Sequence, residues 1–169
     1  MWAGGLPSKL LVSQIMADPG FEARRWWLMQ SIEELLDRSA SLHGHLCPGQ
    51  VLGVRMAMLG CELVGIEEPN ETRDLMVYVE IDRCATDAIQ AVTACKLGKR
   101  TLKYKDYGKL AATFLNLASG VAYRVAARDD SREAARRYAP EGSDKKTAQL
   151  CAYEAMPLHQ LFNVVPVMV

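Results

Sequence analysis

At 169 residues, half of them hydrophobic, the chain is long enough for one domain with a real core. Twenty basic side chains balance twenty acidic ones, for a formal net charge of +0, so the overall charge advertises neither nucleic acid nor an anionic membrane as a partner. No apolar run approaches the roughly 20 residues needed to cross a bilayer. The five cysteines (Cys47, Cys61, Cys84, Cys95 and Cys151) are odd in number and widely spaced, with no secretory signal ahead of them. That pattern argues against a disulfide scaffold and for a reducing cytoplasm, where thiols stay available for metal or catalysis.

Residues 1–18 read as an appendage: Gly4-Gly5 and Pro7 precede the short apolar patch Leu10-Leu11-Val12, and Asp18-Pro19-Gly20 makes a strong break. One folded domain over 19–169 follows. Phe21 to Leu42 has helical periodicity, with Trp26, Trp27, Ile32, Leu35, Leu36 and Ala40 on an apolar face beside Glu33, Glu34, Asp37 and Arg38. The tryptophans belong to a core or an interface.

The segment His43-Gly44-His45-Leu46-Cys47-Pro48-Gly49 holds two of the three histidines and a thiol within five residues. Imidazole and thiolate are the favoured ligands of zinc and of several other divalent transition metals, and alternate residues of an extended segment project to one side. Pro48 suits the first position of a helix and Cys47 its cap, where backbone N–H groups and the helix dipole favour a thiolate. On spacing alone an ordinary turn with a buried Cys47 competes with this reading, because His-x-His-x-Cys is not a stereotyped zinc-finger pair.

Gln50 to Val64 predicts a second helix, so short of polar positions that it must be buried on most sides, with Cys61 a core thiol. Pro69-Asn70 turns the chain into the β-rich run Leu75 to Ile81. Asp82-Arg83-Cys84 then leads into a helix with Thr86 as its cap. If that helix runs unbroken from Cys84 to Cys95, about 1.5 Å of rise per residue separates the two thiols by roughly 16 Å, too far for both to bind one ion. Cys84, in a strand-to-helix loop, is the preferred fourth ligand beside His43, His45 and Cys47. Cys95 is then a structural thiol, a non-ligand thiol bordering the functional region, or a donor to a site made by another subunit.

Five of the twelve residues from Gly98 to Lys109 are basic. Lys99 and Arg100, next to a permissive glycine, could hold a carboxylate or phosphate beside the metal, or simply form a solvated basic face; a Walker sequence is excluded by the glycine spacing. Thr101 to Tyr104 suggests a strand, and Ala111 to Leu117 with Val121 to Ala127 suggests a hairpin across Ala118-Ser119-Gly120. Asp129 to Tyr138 and Ser143 to Ala155 return to helical composition. This order of elements predicts an α+β fold rather than repeated βαβ units.

Three motifs in the same order give the chain a resemblance to a known family: the His43–Gly49 segment, then Asp82-Arg83-Cys84-Ala85-Thr86-Asp87-Ala88-Ile89-Gln90, then Cys95 through Lys105-Asp106-Tyr107-Gly108-Lys109. Together they resemble the FmdE family, named for a component of formylmethanofuran dehydrogenase, over roughly Ser31 to Ala127 and more weakly at Leu161 to Val164. The resemblance implies an α+β core with a small, mostly antiparallel sheet packed against helices, homodimerisation and a His/Cys metal site. Ala94 stands where the family often has glycine and Lys96 where it often has a small hydroxyl residue. Some relatives carry a cysteine-rich zinc-finger extension; no cysteine follows Cys151, so that finger is not expected here. The chain also shows no cluster-binding cysteine array and no pterin motif, which sets it apart from the cofactor-bearing components of the dehydrogenase.

These observations predict a divalent transition metal, zinc by default, held by His43, His45, Cys47 and Cys84. The role that follows is accessory or metal-carrying, linked to one-carbon or anaerobic metabolism. As a metalloenzyme with an open metal position, the protein would instead act on a small anionic substrate held by Lys99 or Arg100, with Asp87 as proton carrier and Cys95 as a candidate catalytic thiol. As a metal-stabilised interaction protein, it would dock an enzyme-complex partner through Trp26 and Trp27.

Overall fold

The computed structural model describes residues 12–14, 16 and 30–169 of the chain. Trp26, Trp27, most of the 1–18 appendage and the first part of the expected Phe21–Leu42 helix lie outside the described residues. Of the appendage, Val12 and Met16 pack on the domain core.

Helix α1 spans Ile32–His43. Ser31 caps it by accepting a hydrogen bond from the Glu34 amide, and the Glu34 side chain accepts from the Ser31 amide in return. Gly44, at φ 95°, stops it by donating its N–H to the Ala40 carbonyl. The helix therefore ends on His43 and turns sharply toward His45. Helix α2 spans Pro48–Leu63 with Cys47 in extended conformation as its N-cap and Pro48 in its first turn, as the sequence predicts. Thirteen of its 16 residues are buried, Cys61 among them. Arg55, only 2% exposed, donates to the carbonyls of Tyr153 and Met156, so its charge is spent on the end of a later helix.

Strand β1 (Leu75–Val79) buries alternate residues and leads into α3 (Cys84–Thr93). Strands β2 (Leu102–Tyr104), β3 (Ala111–Asn116) and β4 (Ala122–Ala127) follow, the last two forming the expected hairpin. The short helix α4 (Ser131–Ala134) runs into a 3-10 turn over Ala135–Arg137, and then come α5 (Lys145–Ala155) and α6 (Leu158–Leu161). The chain closes its sheet with β5 (Phe162–Pro166), a strand the sequence reading does not contain. The order is β2-β1-β3-β4-β5, parallel between β1 and β2 and antiparallel elsewhere.

Helix α2 lies between this sheet and helices α1, α3 and α5. A Cβ on Gly60 would sit 2.2 Å from the Phe114 ring on β3, and one on Gly53 would sit 2.6 Å from the Ala85 carbonyl oxygen on α3. Glycine at these two positions is what lets α2 approach both neighbours so closely. Among the described residues no helix is long and apolar enough to cross a membrane.

Candidate metal centre

Three helix ends meet at one corner of the domain: the last residue of α1, the N-cap of α2 and the first residue of α3. The donor atoms of His43, His45 and Cys47 all lie within 4.8 Å of one another. The two imidazole rings are 4.9 Å apart between centroids, tilted by 44°. Donors on a tetrahedral ion lie roughly 3.3–3.8 Å apart when metal–ligand bonds are about 2.0–2.3 Å. The trio lies within about an ångström and a half of that range, and its nitrogen and sulfur donors are of the kind a transition metal takes.

Cys84 comes to the same corner because β1 delivers it to the start of α3. A Cβ on Gly49, in the first turn of α2, would lie 3.2 Å from the Cys84 Cβ, 3.8 Å from the Cys47 Sγ and 3.9 Å from the Cys84 Sγ. The missing side chain at Gly49 is what allows the two helix starts to converge. The Cys84 thiol is pushed above its ordinary value by burial first and by its contact with the Cys47 thiol second. Binding an ion between the two sulfurs would release that proton. Both thiols sit at helix N-termini, whose dipoles favour the thiolate the ion requires.

His43 is oriented from behind. Its Nδ1 lies 2.7 Å from Oδ2 of Asp87, and Oδ1 of Asp87 accepts from Nε2 of Gln90 at 3.3 Å. A proton on Nδ1 donates to the carboxylate and leaves Nε2 for a metal, the arrangement by which a carboxylate fixes a histidine ligand. Asp87 thus touches His43, and its two oxygens are engaged. Gly49 and Gln90 are contributors the sequence reading missed. Gly49 lies inside the quoted motif but carries no side chain to single out, and Gln90 is three residues from Asp87 on the same helix face.

Thr86 does not cap α3. Its hydroxyl donates to the Ile81 carbonyl at 2.6 Å, tying down the loop after β1, and the helix begins at Cys84 with Arg83 as N-cap. The far end of α3 also differs from expectation. The helix stops at Thr93, Ala94 adopts a left-handed conformation with φ 54°, and Cys95 is 3% exposed with its Sγ 3.6 Å from the Leu75 carbonyl oxygen. Nine residue steps from Cys84 to Thr93 amount to about 14 Å of helix. Within one chain the structure therefore gathers His43, His45, Cys47, Cys84 and Asp87, while Cys95, Lys99 and Arg100 lie at the other end of α3. Cys95 belongs to the core there rather than to the border of the His/Cys corner.

A five-stranded mostly antiparallel sheet backed by helices defines an α+β protein, and the His/His/Cys cluster at the helix ends is compatible with metal binding. The family model described as "FmdE, Molybdenum formylmethanofuran dehydrogenase operon" matches residues 42–163, and the chain belongs to the FmdE family. The crystal structure of a tungsten formylmethanofuran dehydrogenase FmdE-like protein from Syntrophus aciditrophicus shares the fold, with a TM-score of 0.64 and 22% identity over 84% of this chain and 74% of that one. A probable S-adenosyl-L-methionine-binding protein from Archaeoglobus fulgidus is 38% identical over 97 residues. Those residues are 56% of this chain and 26% of that relative, so the chain spans about a quarter of the relative's length.

Proposed function

We propose that this protein is a transition-metal carrier or metal-dependent accessory protein, with its ion held by His43, His45, Cys47 and Cys84. The observation that carries the reading is the cluster of two imidazoles and the Cys47 thiol, with Cys84 beside Cys47 and His43 already oriented by Asp87. Mixed nitrogen and sulfur donors suit zinc. His45 is solvent-exposed whereas His43 is partly buried, which gives the site one ligand that can leave easily and a route for transfer. The family description, which names a formylmethanofuran dehydrogenase operon, supports the proposed link to one-carbon metabolism. The proposed setting is the cytoplasm, where thiol ligands stay reduced, and the proposed assembly is a homodimer.

Metal analysis of protein purified without an affinity tag tests this. About one ion per chain is expected in the parent. It should be lost in Cys47→Ser, and His45→Ala should surrender it faster to a chromogenic chelator. Substoichiometric metal that neither substitution alters would end the reading.

The exposure of His45 also supports a second reading, a metalloenzyme in which water replaces that ligand and a small anionic substrate enters the open position. The optical spectrum of the cobalt-substituted protein separates the two. A closed tetrahedral spectrum insensitive to added anions supports the carrier, and a five-coordinate, anion-sensitive one supports the enzyme.

A further inference from the structure

The connection from α3 to β2 and the segment before β1 enclose a cavity of about 460 Å³ at the end of α3 opposite the His/Cys corner. Its wall carries two cations, Arg73 and Lys99, and no carboxylate. Glu68 and Glu71 belong to the neighbouring stretch of chain, but neither lines the space. Two other cavities, each of about 550 Å³, flank the 3-10 turn after α4, and in both the arginines share the wall with acidic residues such as Glu133. Each of them sets two carboxylates against three cations, which offsets most of the positive charge, whereas the two cations of the α3 cavity face no carboxylate on its wall. Among the described residues neither Arg73 nor Lys99 forms an ion pair with a carboxylate.

One hydroxyl of the same wall, that of Thr72, is placed to donate. Thr72 Oγ1 accepts from the Asp74 amide at 3.0 Å, using an oxygen lone pair and leaving the O–H proton to point elsewhere, whereas Thr93 donates its hydroxyl to the Ile89 carbonyl and Thr101 accepts from the Lys96 amide and hydrogen-bonds the Cys95 thiol. The backbone is unusual in the same place. The non-glycine residues with positive φ among those described are Ala94, at 54°, and Arg100, at 61°, and both lie in the connection that forms one side of the cavity. Residues with a Cβ adopt this conformation at a cost, and such outliers concentrate at functional sites. Nothing about the His/Cys corner requires them, since it is about 14 Å of helix away.

We propose that this cavity is a second site, separate from the metal centre, for a small molecule bearing a carboxylate or phosphate group held between Arg73 and Lys99. The volume falls in the range of small-molecule pockets. Leu75 and Pro69 offer the organic part of such a ligand an apolar surface. Arginine supplies a planar fork for two oxyanion oxygens, and lysine a mobile point charge. The ligand class is thus an oxyanion with a short carbon skeleton.

Inorganic phosphate and, separately, acetate are titrated into the 15N-labelled full chain at constant ionic strength, with amide shifts as the readout. Saturable shifts confined to Arg73, Lys99 and Thr101 are expected for at least one anion, and the tighter of the two identifies the head group. Both cations are exposed, so Arg73→Ala and Lys99→Ala should keep the parent spectrum while weakening binding by about tenfold each. Lys109→Ala, an exposed lysine outside the cavity, should leave it unchanged. Stripping the metal should also leave anion binding intact, which makes the outcome independent of the metal reading. Absence of saturable shifts with both anions, or shifts that persist in the Arg73→Ala/Lys99→Ala double variant, would overturn the proposal.

Discussion

At the start of α3, Cys84 is partly buried and sits against the thiol of Cys47, itself a member of the His/His/Cys cluster. Two residues past the end of the same helix, Cys95 is buried in the core on the wall of the cationic cavity and turned toward a backbone carbonyl. The two differ in which helix terminus they meet and in how much water reaches them. Burial raises both thiols above their ordinary value, but an N-terminus offers Cys84 a positive potential that favours the thiolate, which a position beyond the C-terminus does not. One helix thus separates a metal-type thiol from a packing thiol, and the cationic cavity falls on the side of the packing thiol.

The strongest test of this contrast is to remove the metal-type thiol. Cys84→Ser is expected to lower metal affinity on the order of a hundredfold or more, since a four-donor site of this kind draws its large binding free energy from every ligand. Chelator competition measures it. If Cys95→Ser has the same effect, the two ends of α3 are not chemically distinct.

The approach of the two helix starts can be broken without touching a donor. Gly53→Ala would place a Cβ 2.7 Å from the Cα of Ala85 and 2.7 Å from the Cβ of Ala88, atoms that cannot swing aside. A loss of about 3 kcal/mol in urea unfolding is expected, together with weaker metal binding because Cys47 and Cys84 would be pushed apart. A stability unchanged from the parent would show that α2 and α3 have more room than their packing indicates.

Much of this contrast can be read from residues, and part of it cannot. The apolar run after Pro48 predicts a buried α2, and the alternation around Ala118-Ser119-Gly120 predicts the β3–β4 hairpin. The His/Cys spacing gathers three donors because they are neighbours in sequence. What escapes is tertiary. The partner of His43 lies 44 residues away on another helix, and no local pattern pairs them. The end of α3 is hidden because Ala94 takes the left-handed conformation that glycine would have announced. Thr86 looks like a cap, but its hydroxyl is drawn to the Ile81 carbonyl, and the helix starts two residues earlier. Strand β5 is five residues long, ends in Pro166 and follows a single helical turn, so it leaves little alternation to detect at the edge of a sheet.

A smaller effect sharpens the role of Asp87. Asp87→Asn keeps the shape and a hydrogen bond to His43 but removes the charge that stabilises the Nδ1 proton. Metal affinity is expected to fall about tenfold to a hundredfold, less than for loss of a ligand. Competition with the same chelator ranks the two. A loss as complete as that of Cys84→Ser would make Asp87 a ligand rather than the group that orients one.

The weakest effect concerns the buried end and is read in the metal-free protein. Burial pushes the Cys95 thiol above its ordinary value of 9.0, despite opposing contributions from Thr93, Thr101 and Lys99. The unfolded chain therefore gives up this proton at lower pH than the folded one. Between the ordinary thiol value and the raised one the folded state binds more protons, so stability is full below about pH 8.5 and falls as pH rises. Cys61, fully buried beside it, is raised in the same direction. Each buried thiol contributes at most about 1.4 kcal/mol per pH unit to this decline. Cys95→Ala should remove one such contribution, so its urea midpoint should drop less steeply than the parent's between about pH 8.5 and about pH 10. Equal slopes in the two proteins would mean that water reaches Cys95 in the folded state, and that the two ends of α3 differ in their neighbours but not in their burial.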